Sequence, residues 1–166
     1  MKKLHIDIET YSSVDITKCG AYKYALAHDF QILLVGYAKD DEPTRIVDLA
    51  QGEKLPWEFI EAVLNSEVTK YAHNATFERV CFTAYFRRLG LIKPDEWLSA
   101  DSWCCTMVMA ARCGLPLSLK QVGQALHFKD QKMDEGKELI QLFCVPHPTD
   151  TGASIFDTVS ERFLPE

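Results

Sequence analysis

Neither a Cys-x-x-Cys pair nor a long hydrophobic run occurs in this sequence, and the two absences exclude several classes of protein. Its six cysteines lie mostly in apolar stretches, which favours buried reduced thiols over a disulfide framework or a structural zinc site. No secretory leader pattern and no apolar run long enough for a transmembrane helix is visible. We therefore expect a cytoplasmic protein with no membrane partner.

Basic residues are also in short supply. The sequence has 18 Lys and Arg residues against 24 Asp and Glu, which gives a formal net charge of −6. This balance argues against binding nucleic acid through a broad basic face, although it leaves open a site that reaches phosphate groups through bound metal ions. The 166 residues, 47% of them apolar, are enough for a single domain with a substantial core, and we expect residues 1–166 to form it.

The most informative segment that is present is Asp7-Ile8-Glu9-Thr10, in the first apolar run of the chain. Residues 4–9 alternate between apolar and polar, as expected of a β-strand, so the side chains of Asp7 and Glu9 should lie on one face. Two carboxylates this close repel each other unless a cation lies between them, and Mg²⁺ prefers oxygen ligands. The alternative is an edge strand with a solvated acidic face.

Hydrophobic periodicity and turn residues predict strands and helices over the rest of the chain. The predicted strands are residues 4–9, 31–39, 45–49, 68–72 and 97–101. The predicted helices are residues 56–64, 74–89, 102–113, 118–126 and 136–143. Between the first two strands, the pattern shows only a polar stretch with a turn at Cys19-Gly20. Short connections predict that the first three strands are antiparallel, and the whole pattern predicts an α/β fold with a mixed five-stranded sheet flanked by helices.

A second polar cluster, His73-Asn74-Ala75-Thr76-Phe77-Glu78, follows a predicted strand and opens a predicted helix. Taken alone, it has an ordinary structural explanation. Asn74 is a good helix N-cap, and the helix dipole favours a carboxylate such as Glu78 in the first turn. Its combination with Asp7 and Glu9 suggests something more specific, which is a shared site.

The two motifs, in this order, resemble those of the 3′→5′ exonuclease domains of the ribonuclease H-like DEDD superfamily. They are most similar to the N-terminal exonuclease domain of phage-type family A DNA polymerases. Asp-x-Glu-Thr on the first strand corresponds to the family's first motif, and Asn-Ala-x-Phe-Asp/Glu at a helix start corresponds to the second. The connecting segments that also match are residues 19–25, 32–34, 103–107 and 136–146. The resemblance covers nearly the whole chain and implies a ribonuclease H-like fold.

This resemblance also implies three catalytic residues that bind two Mg²⁺ or Mn²⁺ ions and three residues that bind substrate. The metal-binding catalytic residues are Asp7, Glu9 and Glu78. The substrate-binding residues are Thr10, Asn74 and Phe77. The implied reaction is two-metal hydrolysis of the 3′-terminal phosphodiester of single-stranded DNA, with release of nucleoside monophosphates. The implied role is proofreading during phage DNA replication, beside a polymerase domain in the same full-length chain.

Two features depart from the family pattern. Glu78 stands where the wider superfamily has Asp, and its extra methylene pushes the carboxylate outward. The third motif, a Tyr or His followed a turn later by a fourth metal-binding Asp, is missing. We therefore expect an N-terminal fragment of a longer polymerase, with weak or no activity by itself. Asp101, at the end of the predicted fifth strand, is the rival for the missing ligand, although N-capping explains it as well.

Two other functions stay open at this stage. One is a stand-alone exonuclease that acts on RNA or short oligonucleotides. The other is a degenerate, non-catalytic module that only binds nucleic acid. The retained carboxylates Asp7, Glu9 and Glu78 argue against the second, because a module freed from catalysis need not keep clustered acids.

Overall fold

Five strands and six helices are found in the part of the chain that the structure describes, which is residues 1–129 and 136–146 of a computed structural model. The strands, numbered β1 to β5, are Lys3–Tyr11, Gln31–Lys39, Arg45–Asp48, Thr69–Ala72 and Trp103–Cys105. The helices, numbered α1 to α6, are Ile16–Leu26, Trp57–Leu64, Ala75–Arg88, Thr106–Arg112, Leu119–Ala125 and Gly136–Cys144. None of these helices has the length and apolarity that crossing a bilayer requires.

The strands form one sheet in the order β3-β2-β1-β4-β5. The first three strands are antiparallel neighbours, whereas β4 runs parallel to β1 and β5 runs parallel to β4. Short turns can join antiparallel strands, but each parallel pairing needs a crossover, and a helix supplies it in this chain. The predicted mixed five-stranded sheet is therefore confirmed, and β1 lies at its centre rather than at an edge.

Alternation along β1 separates the core from the candidate site. Ile6 and Ile8 are buried on one face, whereas Asp7 is exposed and Glu9 half-buried on the other. Asp7 is paired with Gly36 of β2, so the residue beside it on the same face carries no side chain. The pairing shifts by one residue after Glu9, which is a β-bulge at the end of this acidic stretch.

An aromatic core on the opposite face holds β2, α2 and α3 together. Tyr37, Phe59, Phe82 and Phe86 form a continuous row whose successive ring centroids are 4.9, 5.5 and 5.7 Å apart. All four side chains are buried. Tilted aromatic pairs at such distances add to the stabilisation from burial alone. The row packs α3, which carries Glu78, against the central part of the sheet.

The helix α1 was missed by the sequence interpretation, which saw only a turn in this region. Asp15 caps the helix by accepting a hydrogen bond of 2.9 Å from the backbone N–H of Thr17. Gly20 interrupts the helix with a φ of +74°, a left-handed conformation that glycine tolerates best. Because of this interruption, the sequence shows no continuous helical period, and the glycine was interpreted as a turn.

The predicted fifth strand at residues 97–101 is wrong, and β5 lies a few residues later, at Trp103–Cys105. The backbone of the earlier segment is bonded to α3 instead of to a strand. Arg79 donates to the carbonyl oxygen of Leu98 at 2.8 Å, and the hydroxyl of Thr83 accepts from the N–H of Leu98 at 3.3 Å. These side-chain bonds satisfy the groups that a sheet would otherwise use.

Candidate functional site

A cavity of about 460 Å³ opens over the acidic face of β1, and we call it the Asp7 cavity. Its lining combines residues from β1, β2 and β4 with the start of α4 and includes His5, Asp7, Gly36, Tyr71, His73 and Thr106. The rings of His5 and Tyr71 are stacked, with centroids 5.1 Å apart, beside Asp7. Asp7 therefore faces an open space bordered by aromatic and hydrogen-bonding groups.

Glu78 lies in the first turn of α3 and is 3% exposed. Its Oε2 atom is buried and has no hydrogen-bond partner among the described residues. Burial raises the pKa of Glu78 from 4.5 to about 8, and the negative charge of Asp7 contributes to the rise. A buried carboxyl oxygen without a partner is costly unless a proton or a cation neutralises the group. Asp7 of the first motif is therefore near enough for its charge to act on Glu78 of the second.

Glu9 points toward a different part of the structure. The thiol of Cys144 at the end of α6 contacts Glu9 Oε2 at 3.8 Å, and Glu9 lines two further cavities beside α6. Within residues 1–129 and 136–146, no three His, Cys, Asp or Glu side chains converge closely enough to hold a metal ion. The partnerless oxygen of Glu78 fits a cation, whereas a complete three-carboxylate ligand set is not assembled in these residues.

Thr10 and Phe77, two of the three predicted substrate-binding residues, line one cavity together. This space of about 230 Å³, the Thr10 cavity, is also lined by Glu9 and Tyr24. The hydroxyls of Thr10 and Tyr24 lie 3.0 Å apart and share a hydrogen bond. The rings of Tyr24 and Phe77 have centroids 6.1 Å apart. The structure thus brings Glu9, Thr10 and Phe77 to the lining of one pocket, and a role of this pocket in substrate binding stays a prediction.

Asn74 does not line these cavities and serves the backbone instead. It occupies the N-cap position of α3 with a φ of +82°, and its side chain makes no capping hydrogen bond. Its carbonyl oxygen accepts from the N–H of Phe77 at 2.8 Å. Asn is among the few residues other than glycine that enter this left-handed conformation with little strain. The local turn accounts for Asn74 in this structure, and its contact with substrate stays a prediction.

Asp101 is exposed in the loop before β5. Its Oδ2 atom accepts a hydrogen bond of 2.8 Å from the hydroxyl of Ser99. Because β5 begins after this residue, Asp101 is neither at the end of a strand nor at the start of a helix, contrary to both interpretations of it. It is absent from the linings of the Asp7 and Thr10 cavities.

Several residues near the site were missed as functional candidates. Tyr24 and Cys144 lay inside the segments that matched the family, but nothing in the sequence placed them beside Thr10 and Glu9. His73 bonds through its ring nitrogens to Thr106 Oγ1 at 3.1 Å and to Leu117 O at 2.8 Å. Only the register of β1 against β4, which pairs His5 with Tyr71, could have indicated the aromatic border of the Asp7 cavity.

Comparisons with known proteins identify a similar protein by sequence and similar solved structures by fold. No family model matches the chain. The DNA polymerase of Bacillus phage SP02 is 49% identical over 146 residues, which cover 88% of this chain and 21% of that polymerase. The chain therefore spans about a fifth of the relative that it matches.

Solved structures agree at the level of the fold. Brucella melitensis NrnC with bound Mg²⁺ superposes with a TM-score of 0.55 at 13% identity, over 97% of this chain and 66% of that chain. A second NrnC structure gives a TM-score of 0.52 at 16% identity, over 80% of this chain and 58% of that chain. The chain therefore has the ribonuclease H-like fold of the DEDD exonucleases, and it is a relative of the matching segment of a phage DNA polymerase.

Proposed function

We propose that this chain is the 3′→5′ exonuclease domain of a phage-type DNA polymerase and hydrolyses the 3′-terminal phosphodiester of single-stranded DNA. The observation that carries the proposal is Glu78, whose buried oxygen lacks a partner beside Asp7. A purely structural carboxylate would be hydrogen-bonded or exposed. The 49% identity to a phage polymerase supports the same assignment, and we propose residues 1–166 as one domain of a longer polymerase chain.

In this proposal, Asp7 and Glu78 hold divalent cations, and Glu9 would join them by turning its carboxylate away from the thiol of Cys144, which it contacts in this structure. A bound Mg²⁺ or Mn²⁺ pair would activate the attacking water and stabilise the leaving oxygen. The chain's own residues keep the carboxylates close despite their mutual repulsion, because Ile6 and Ile8 bury the other face of β1. NrnC has been solved with bound Mg²⁺, and a divalent ion for this chain is a proposal by analogy.

The Thr10 cavity is the proposed site of the 3′-terminal nucleotide. Phe77 and Tyr24 supply aromatic surface there, and the hydroxyl of Thr10 is fixed by its bond to Tyr24. Release of the terminal nucleotide from a DNA strand would remove misincorporated nucleotides, which is proofreading. The polymerase domain that would deliver such strands belongs to the remaining length of the relative, and we propose it as the partner in cis.

Metal binding tests the proposal directly. Titration calorimetry with Mn²⁺ should show a heat of binding for the wild type that is lost in Asp7→Asn. Asp41→Asn is the matched control, because Asp41 is an exposed turn residue outside the Asp7 cavity. Equal binding by all three proteins would remove Asp7 from the site.

Activity is tested on 5′-labelled single-stranded oligonucleotides. We expect residues 1–166 alone to release little nucleoside monophosphate, and the polymerase-length protein to shorten the strand from its 3′ end. Asp7→Ala or Glu9→Ala should abolish this activity, since loss of a catalytic group costs about 10²–10⁴-fold. Robust activity of residues 1–166 alone would show that their ligand set is complete.

A non-catalytic binding module is the second candidate, and one observation favours it. The described residues assemble no three-carboxylate metal cluster. Such a module would bind oligonucleotides without forming product, even at polymerase length.

Comparing deoxyribose and ribose substrates in the same assay separates a DNA exonuclease from one that acts on RNA.

A further inference from the structure

The two short helices α4 and α5 expose apolar side chains to solvent. Six large apolar side chains within residues 108–128 are 45–56% exposed, and we call them the α4–α5 face: Val108, Met109, Leu117, Leu119, Leu126 and Phe128. Only Ala110, Val122 and Gly123 are buried in the same stretch. Single exposed apolar residues are ordinary on a protein surface, whereas a group of six in one segment indicates an interaction surface.

Charged residues are scarce in this part of the chain. Residues 102–128 contain no Asp or Glu, and apart from His127 their basic residues are Arg112 and Lys120. In the chain as a whole, 25% of the residues are charged. Depletion of charge together with exposed Met and aromatic side chains is the composition of the central part of a protein–protein interface.

Hydrogen bonds anchor the starts of both helices to the sheet. The ring of His73, directly after β4, bonds to Thr106 Oγ1 at the start of α4 and to Leu117 O just before α5. Thr106 and Leu119 line the same cavity, so the two helix starts are adjacent. The exposed side chains therefore belong to an anchored unit.

The other end of α5 is closed by a defined turn. The N–H of Phe128 donates to Gly123 O at 2.9 Å, and the N–H of His127 donates to Gln124 O at 3.1 Å. His127 has a φ of +54°, the left-handed conformation that this pair of hydrogen bonds requires. The turn fixes the backbone from which the exposed ring of Phe128 projects.

Ordinary incomplete burial of surface helices is the simpler explanation, but it does not account for α5. Both helices have seven residues, and helices this short depend on the packing of an apolar face. Leu119, Val122 and Leu126 form one stripe at positions i, i+3 and i+7. Among the described residues, α5 buries only the middle of this stripe, at Val122.

We infer that the α4–α5 face is the surface on which the remainder of the polymerase chain docks. The inference rests on the proposed function, which makes residues 1–166 one domain of a longer polymerase. The matching segment is 21% of the related polymerase, so about four-fifths of that chain lies outside it. This remainder is the occupant to which the inference commits.

Tethering favours this occupant over a second copy of the chain. Two domains joined by a short linker meet at an effective concentration of about 1 mM, so a contact with a Kd as weak as about 0.1 mM would be about 90% occupied. A stable complex of separate chains buries about 800 Å² on each partner. Six half-exposed side chains by themselves do not supply that area.

Cys113 gives this surface a reporter thiol. It is exposed at the end of α4, one turn after Met109 on the same side of the helix. In the polymerase-length protein, we expect maleimide labelling of Cys113, followed by peptide mass spectrometry, to be about tenfold slower in the wild type than in Met109→Gln/Leu126→Gln, the ratio that 90% occupancy gives. Leu89→Gln, the same change at an exposed leucine at the far end of α3, is the matched control and should label as slowly as the wild type does.

Two further measurements identify the occupant. In residues 1–166 alone, with a cooperative urea transition as the check that they fold, wild type and the double variant should both label rapidly. At polymerase length, the slow labelling of the wild type should not depend on protein concentration, because the contact is within one chain. Protection that disappears on dilution would assign the face to a second copy and overturn the inference.

Slow labelling already in residues 1–166, or equal labelling of wild type and double variant at polymerase length, would also overturn the inference. The labelling reports a contact and needs neither metal nor DNA. Failure of the nuclease proposal would appear separately, as unaltered Mn²⁺ binding in Asp7→Asn.

Discussion

Replacing Glu78 with Gln removes one charge from the candidate site with almost no change of shape. In the metal-free protein, Glu78 is 3% exposed, and its Oε2 atom has no partner among the described residues. Ionisation of Glu78 therefore lowers the free energy of unfolding, and the negative charge of Asp7 contributes to this loss. The amide of Gln stays neutral at every pH, so the variant isolates the cost of that single charge.

The magnitude follows from the two pKa values. Burial raises the pKa of Glu78 from 4.5 to about 8 in the folded protein. Between these values, the folded state binds more protons than the unfolded state, so the free energy of unfolding falls as the pH rises. Each pH unit corresponds to about 1.4 kcal/mol, and the whole interval to about 4–5 kcal/mol. Below pH 4.5 and above pH 8, this group causes no further change.

Urea unfolding, followed by tryptophan fluorescence in EDTA between pH 4.5 and 9, measures this effect. We expect wild type and Glu78→Gln to have similar stability near pH 5, and the variant to become progressively more stable toward pH 9. A difference between the two proteins that does not depend on pH would refute the reasoning, because it would mean that Glu78 titrates normally in the folded state.

Adding Mn²⁺ at pH 8.5 connects this cost to the proposed metal site. A cation that binds the ionised carboxylate should stabilise the wild type, by about 2.7 kcal/mol at a concentration one hundred times the Kd. Glu78→Gln should gain much less, since it offers only a neutral amide oxygen. Equal stabilisation of the two proteins would place the metal elsewhere.

Two further predictions concern residues whose roles the backbone and the core decide. Asn74 has a φ of +82°, so Asn74→Ala should lower the free energy of unfolding by about 1 kcal/mol relative to Asn74→Gly, as measured by urea unfolding. If Asn74 also contacts substrate, the stable Gly variant will bind oligonucleotides more weakly than the wild type does. Lys70 is 1% exposed, donates to Asn65 O and Ser102 Oγ at 2.7 Å each, and has its pKa lowered from 10.5 to about 8 by burial. The unfolded state binds more protons between these pKa values, so wild-type stability should gain a contribution from Lys70 as the pH rises from 8 to 10.5, and unfolding curves of Lys70→Met should lack it.

Local patterns were sufficient for the centre of the sheet and for the position of the two acidic motifs. The alternation of residues 4–9 predicted that Ile6 and Ile8 would be buried opposite Asp7, and the apolar run of β2 predicted that strand to the residue. These features depend on side-chain periodicity, which each strand carries by itself. The same holds for the start of α3, where a strand end, a turn residue and a helical pattern follow one another.

Contacts between distant segments decided the rest. The strand β5 lies at Trp103–Cys105 because α3 binds the backbone at Leu98, which no local pattern shows. Likewise, the chain resumes a helical course after the interruption at Gly20, where Tyr24 and Ala25 are buried in the core.

The sequence by itself determined which residues could bind a metal ion and the order in which the motifs occur. The tertiary structure decided their environment. It buried Glu78 against the core while leaving Asp7 open to a cavity, and it placed Glu9 beside α6. It also joined Tyr22, Arg79, Trp97 and Arg87 into one surface from three separate segments. The physical reason is that burial and electrostatic environment are properties of packed neighbours, which the order of residues along the chain does not specify.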